Sequence, residues 1–228
     1  MNENLERLNP YPFERLNDLL KDIDTETNLP FISWSVGEPK HPAPAFLIEF
    51  MKDEILIRKG FETYPPTKGL PELRRAITGY LKRRYNLKSE PDPDHQVLPV
   101  AGTREALFSF AQAILTPSNN AVTVMPNPFY QIYEGAALLA GSRPYYLNKE
   151  GHNGMPDFDS IPDQIWGKCQ LLFICTPGNP SGEVLDAEVL SSLIKRSEAF
   201  DFVIASDECY SEIYSDESSP PPGLLEVA

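Results

Sequence analysis

From residue 96 onward, short apolar and β-branched runs alternate with longer stretches of helical period, and this alternation constrains the fold more than any other feature. Residues 96–100 precede a helical 104–115, and 121–125 precede 129–140. Residues 143–147 lead through a turn-rich stretch to 157–165, 171–174 precede 186–200, and 202–206 close the series. Such repetition predicts an α/β fold of three layers, αβα, with a mostly parallel sheet and helices on both faces. The runs 122–125, 171–174 and 202–205 are almost continuously apolar, as strands covered on both faces require.

The chain before residue 96 reads differently. Pro12 opens a helix with Leu16, Leu19, Leu20 and Ile23 on one stripe. Residues 32–36 form a short extended piece, and 44–58 and 71–85 are helices with proline in the first turn. We divide the chain into an N-terminal arm, 1–45, and a large domain, 46–228.

Charge and motif content exclude several classes of function. The 20 Lys and Arg face 33 Asp and Glu, a net charge of -13, which repels phosphate backbones and anionic lipid and argues against a nucleic-acid partner. Residues 1–24 lack an apolar leader core, and no run approaches 18 uninterrupted apolar residues, so the expectation is a soluble, cytoplasmic protein without membrane contact. Cys169, Cys175 and Cys209 form no CxxC pair and read as buried free thiols. His41, His95 and His152 stand in no metal-ligand spacing, so no metal is expected.

In an open α/β sheet, ligands sit outside the carboxyl ends of the strands. Four segments fall there. Gly102-Thr103-Arg104 ends a strand and opens a helix, so its free N–H groups suit a phosphate, although Thr also serves as a plain helix cap. Tyr130 offers a ring to a planar ligand or simply packs in the core. Asn179-Pro180-Ser181-Gly182 is a turn by composition, at a strand end where a carboxamide could meet a ring oxygen. Asp207 directly follows an apolar run; a desolvated carboxylate needs a partner, unless it only caps a helix. Tyr210, one turn later, presents a hydroxyl on the same side.

In this order and spacing the four segments resemble the class I/II aminotransferases that use pyridoxal 5'-phosphate (PLP). Val36-Gly37-Glu38-Pro39 is similar to that family's N-terminal substrate-side loop. The segment from Tyr64 through Gly69 to Leu73-Arg74 is similar to its Tyr-x-x-x-x-Gly-x-x-x-Leu-Arg signature. The resemblance covers nearly the whole chain. It implies that 46–228 is the PLP-binding large domain, incomplete at its C-terminal side, and that the arm carries the substrate-side loop.

It further implies that Gly102, Thr103 and Arg104 hold the cofactor phosphate, that Tyr130 stacks on the pyridine ring, that Asn179 and Tyr210 bond the ring 3'-oxygen, and that Asp207 pairs with the pyridine nitrogen. Tyr64 would reach the phosphate in a neighbouring subunit, making a homodimer part of the site, and Gly37 would lie near the substrate carboxylate. The lysine that binds the cofactor covalently has no match here, because Lys168 and Lys195 both precede the Asp207 strand. The isolated 228-residue chain is therefore expected to be poorly stable and inactive.

Within the family, residues 35–44, 64–71, 8–16 and 205–214 resemble the N-succinyldiaminopimelate aminotransferases of bacterial lysine biosynthesis. That branch implies amino transfer between glutamate and a small keto acid. Other class I aminotransferases, acting on aspartate, aromatic amino acids or LL-diaminopimelate, are the alternative on one scaffold. A non-catalytic aminotransferase-like module is the alternative of a different class.

Overall fold

The computed structural model describes all residues except 1, 24–28, 31, 33, 35, 36, 38–40, 119 and 149–154. The chain divides into two compact units, Asn9–Thr67 and Met1–Leu8 with Lys68–Ala228.

Among its described residues the smaller unit holds three helices, α1 (Pro12–Leu20), α2 (Ala45–Phe50) and α3 (Glu54–Gly60), none with a buried residue. Proline at the start of α1 matches expectation, since its missing N–H is an orphan there anyway. The helix stops before Ile23. The single helix expected over 44–58 is two: Asp53 accepts hydrogen bonds from the amides of Ile55 and Leu56, and this side-chain cap starts α3 afresh. The extended piece expected at 32–36 lies mostly outside the described residues.

The larger unit is built on four parallel strands, β1 (Val122–Asn127), β2 (Arg143–Asn148), β3 (Cys169–Cys175) and β4 (Val203–Asp207), in the spatial order β2-β1-β3-β4. Around them lie α4 (Pro71–Arg84), α5 (Thr103–Ile114), α6 (Ile132–Leu139), α7 (Asp163–Trp166), α8 (Ala187–Phe200) and α9 (Leu224–Val227). Alternation along β3 feeds two cores. Leu172 and Ile174 pack with Leu190, Leu193 and Trp166 on the α8 side, while Leu171 and Phe173 pack with Ala111, Tyr133 and Ala136 on the α5 and α6 side. The sheet is thus covered on both faces, as its apolar runs predict.

Three expectations fail for identifiable reasons. Residues 96–100 form no strand: no described strand pairs with them, and Leu98 and Val100 are 66% and 51% exposed. The helix expected over 157–165 is interrupted by Pro162, leaving a 3-10 turn at Phe158–Ser160 capped by Asp157, and then α7. Helix α6 begins at Ile132 rather than 129, so Phe129 and Tyr130 stand before it. Strand β4 is also less covered than its composition implies, because it lies at the sheet edge and Val203 is 37% exposed. No described helix is long and apolar enough to cross a membrane.

Candidate functional site

Chain order reverses between β1 and β3: β2 is laid on one side of β1, and β3 and then β4 on the other. At such a switch point the loops leaving adjacent strands part in opposite directions and open a crevice at the carboxyl ends. The sequence-singled residues Gly102, Thr103, Arg104, Tyr130, Asn179, Asp207 and Tyr210 all belong to this unit and to segments at or near that rim.

Gly102 caps α5 with its backbone extended, and the cap makes no side-chain hydrogen bond. The amides of the first turn therefore face outward with the positive end of the helix dipole. A Cβ at Gly102 would fall 2.7 Å from Glu105 Oε2. Gly102 and Thr103 share a hollow of about 820 Å³ with Asp207 and Cys209, floored by the apolar Leu98, Val100 and Phe110. Thr103 Oγ1 and Cys209 Sγ lie 3.4 Å apart, tying the start of α5 to the end of β4.

Asp207 ends β4 opposite Cys175 of β3 and is only 9% exposed. Its Oδ2 accepts a 2.6 Å hydrogen bond from the Tyr133 hydroxyl and its Oδ1 a 3.3 Å bond from the Cys209 amide. Its backbone carbonyl accepts from the Thr176 amide at 3.1 Å. Both side-chain donors are neutral. Glu208, the next residue, also lines the hollow but accepts from Tyr85, Ser206 and the Leu224 amide. Its carboxylate is thus engaged by three donors, beside that of Asp207.

Tyr130 receives a 2.7 Å hydrogen bond from Arg104 Nε and meets Tyr133 edge to face at 5.9 Å. Tyr133 in turn stacks on Phe173 at 4.6 Å and is fully buried. The pKa of the Tyr210 hydroxyl is pushed above its ordinary value by burial and then by Cys175, Cys209, Asp207 and Tyr130, so the hydroxyl lies within electrostatic reach of all four. Burial likewise pushes Cys175 up to about 11, with Asp207 adding to the effect.

Asn179 occupies a small separate recess with Pro126, Pro128, Cys175 and Gly178. Its loop is closed by bonds from the Gly178 amide to the Glu183 carbonyl (2.8 Å) and from the Gly182 amide to the Gly178 carbonyl (2.6 Å), and Gly182 takes φ +75°. That angle suits glycine, which has no Cβ to clash. The Asn127–Pro128, Thr176–Pro177 and Asn179–Pro180 peptides are cis.

The structure therefore joins Gly102, Thr103, Arg104, Tyr130 and Asp207 through a short chain of contacts and a shared hollow, with Tyr210 within electrostatic reach and Asn179 beyond Cys175. Tyr64 and Gly37 belong to the smaller unit. Tyr64 is 96% exposed, and nothing lies within 4 Å of a Cβ placed at Gly37. Val36, Glu38 and Pro39 lie outside the described residues. Two members of the network escape sequence reasoning, Tyr133 and the rim position of Cys175. Tyr133 was findable in part, since it follows Tyr130 by three residues. Cys209, taken as a buried thiol, is exposed, because it lies beyond the strand end. Among the described residues no cluster of His, Cys, Asp and Glu could hold a metal ion.

This architecture, a parallel sheet between helical layers with a carboxylate and a helix N-terminus at the carboxyl side of its strands, is that of the open α/β class, whose ligands commonly sit outside the strand ends. The sequence matches the family "Aminotransferase class I and II" over residues 30–228, and the chain belongs to that family. An LL-diaminopimelate aminotransferase of Aquifex aeolicus is 32% identical over 99% of this chain and 58% of its own length. A crystal structure of an aminotransferase from Neisseria meningitidis superposes with a TM-score of 0.89 at 43% identity, covering 100% of this chain and 57% of that one. The N-succinyldiaminopimelate aminotransferase of Mycobacterium tuberculosis superposes with a TM-score of 0.68 at 26% identity, over 83% of this chain and 48% of that one. The chain spans just over half the length of the curated relatives it matches.

Proposed function

We propose that this chain carries much of the PLP site of a transaminase that moves an amino group between glutamate and a keto acid of the diaminopimelate type. One observation carries the reading: Asp207, a buried carboxylate held by two neutral donors, shares a hollow with the uncapped first turn of α5. A desolvated carboxylate favours a cationic partner, and exposed helix amides favour an anion. A phosphorylated pyridinium offers both charges on one rigid molecule.

In this reading the amides of Gly102, Thr103 and Arg104 bind the phosphate. Tyr130, oriented by Arg104, covers the ring face, while Asn179 and Tyr210 bond the 3'-oxygen. Asp207 holds the proton on the ring nitrogen. PLP, when bound there, supplies an electron sink for the substrate's Cα–H bond. Tyr64 would complete a phosphate site across a homodimer, and Gly37 would approach the substrate carboxylate. We assign the covalent lysine to neither Lys168, between α7 and β3, nor Lys195, which lies on α8 in a surface hollow with Glu188 and Ser192. The protein would be cytoplasmic.

The diaminopimelate skeleton is supported from two sides. Curated relatives carry the name LL-diaminopimelate aminotransferase, and residues 35–44 and 64–71 resemble the N-succinyl branch. We favour the succinylated substrate, with free LL-diaminopimelate as the second reading. Equilibrium dialysis tests the cofactor site. The chain should retain pyridoxamine 5'-phosphate, and Asp207→Asn should weaken retention by about tenfold or more, the worth of a charge-assisted bond. Equal retention by the variant removes the reading. The substrate is decided on the full-length polypeptide by transfer rates from glutamate to the two keto acids.

A further inference from the structure

We infer that Tyr133 is a positioning residue for the cofactor carboxylate: its hydroxyl, fixed in a buried aromatic stack, orients Asp207 and keeps one of its oxygens turned to the ligand. The inference rests on the cofactor reading above.

Four observations support it. Tyr133 has no exposure, and its ring is clamped between Phe173, stacked at 4.6 Å, and the edge of Tyr130 at 5.9 Å, so the hydroxyl has one direction to point. Along that direction lies Asp207 Oδ2 at 2.6 Å, 74 residues away in sequence. Oδ1 accepts the longer 3.3 Å bond from the Cys209 amide, and a carboxylate oxygen with two lone pairs keeps acceptor capacity for a further donor. The phenol remains a donor throughout the working range, because burial, with Cys175 and Asp207 beside it, pushes its ionisation far above the ordinary tyrosine value.

The stack has a second consequence. Tyr130, which would cover the ring face, and Asp207, which would meet the ring nitrogen, are both braced by Tyr133. One buried side chain thus sets the angle between the surface that stacks and the group that carries charge. Preorganisation of this kind is worth most where the charged group has no water to reorient it.

The experiment uses the 228-residue chain, pyridoxamine 5'-phosphate labelled with ¹⁵N in the ring, and the variants Tyr133→Phe, Asp207→Asn and Tyr85→Phe. Phenylalanine at 133 keeps the ring and its stack on Phe173. Tyr85→Phe is the matched control, because Tyr85 makes the same phenol-to-carboxylate bond at 2.6 Å to Glu208 rather than to Asp207. The expected result is about tenfold weaker binding by Tyr133→Phe and a ring-nitrogen resonance displaced toward the unprotonated position, with Tyr85→Phe matching the unmodified chain in both.

A Tyr133→Phe chain that melts many degrees lower but keeps the resonance overturns the inference, since the tyrosine would then be structural. Weakening by Asp207→Asn with none by Tyr133→Phe overturns it as well, while leaving the cofactor reading in place. An unmodified chain that takes up no pyridoxamine phosphate removes the cofactor reading and the role of Tyr133 together.

Discussion

Cys209 stands two residues past the end of β4, exposed, and lines the same hollow as Gly102, Thr103 and Asp207. Its thiol is pushed above the ordinary value by partial burial, with Thr103 pulling the other way and Asp207 adding to the rise. A raised thiol pKa lowers the thiolate fraction at neutral pH, and thiolate is the reactive form. Iodoacetamide should therefore modify Cys209 more slowly than a free thiol at pH 7 and increasingly fast as pH rises. Cys169, buried and pushed up to about 12, should stay unmodified. Pyridoxamine 5'-phosphate should protect Cys209, as peptide mass spectrometry over a time course would record. Labelling of Cys169 first, or equal labelling of Cys209 with and without the ligand, contradicts this placement. At this scale the sequence reveals which residue types stand at strand ends, but not their bonds. Asp207 is conspicuous because an apolar run precedes it, whereas Tyr133 is hidden because its acceptor is 74 residues away.

Between elements, α4 is fastened to the segment after β4 chiefly through Arg84. Arg84 is almost buried, and its guanidinium donates to Glu212 Oε1 at 2.6 Å and to the carbonyls of Ser211 at 2.9 Å and Pro221 at 3.0 Å. Replacing Arg84 by Met leaves two part-buried carbonyls without their donor, and a loss of ~2 kcal/mol in unfolding free energy is expected from urea titration. Tyr80 also donates to Glu212, at 2.7 Å, and the Tyr80 bond followed by Arg84 holds the Glu212 carboxyl below its ordinary 4.5. A depressed folded value means stability that is present above 4.5 and lost as pH falls through the lower folded value. Glu212→Gln should therefore reduce stability at pH 7 and flatten its decline below pH 4.5, and an unchanged acid limb would deny the clamp its charge. Little of this was legible beforehand. The runs at 122–125 and 171–174 announce strands because composition alone separates a doubly covered strand from a helix face. Residues 96–100 carry a similar composition, but a strand exists only where a second one pairs with it, and that condition is non-local. The division of 44–58 turns on one capping aspartate, a local signal that the helical period outweighed.

At the scale of the whole molecule two opposed forces act on the surface. The chain carries a net charge of -13, which keeps copies apart. Against this, β4 forms a sheet edge with Val203 exposed, and Leu98 and Val100 stand open beside the 820 Å³ hollow. An open edge offers unpaired backbone groups, and apolar side chains around it add burial on contact. Repulsion between exposed charges fades beyond roughly 10 Å at about 0.1 M salt, whereas the apolar attraction does not. Salt should therefore tip the balance: sedimentation velocity is expected to find the chain largely monomeric at low ionic strength and self-associating as sodium chloride is raised. Val203→Lys places a charge on the edge strand itself, the device natural sheets use against edge pairing, and should restore the monomer at high salt. Because position 203 lies at the opposite end of β4 from the rim at Asp207, retention of pyridoxamine 5'-phosphate by Val203→Lys should match that of the unmodified chain. Association that grows as salt is removed, or that persists unchanged in Val203→Lys, would place the adhesive surface elsewhere on the molecule.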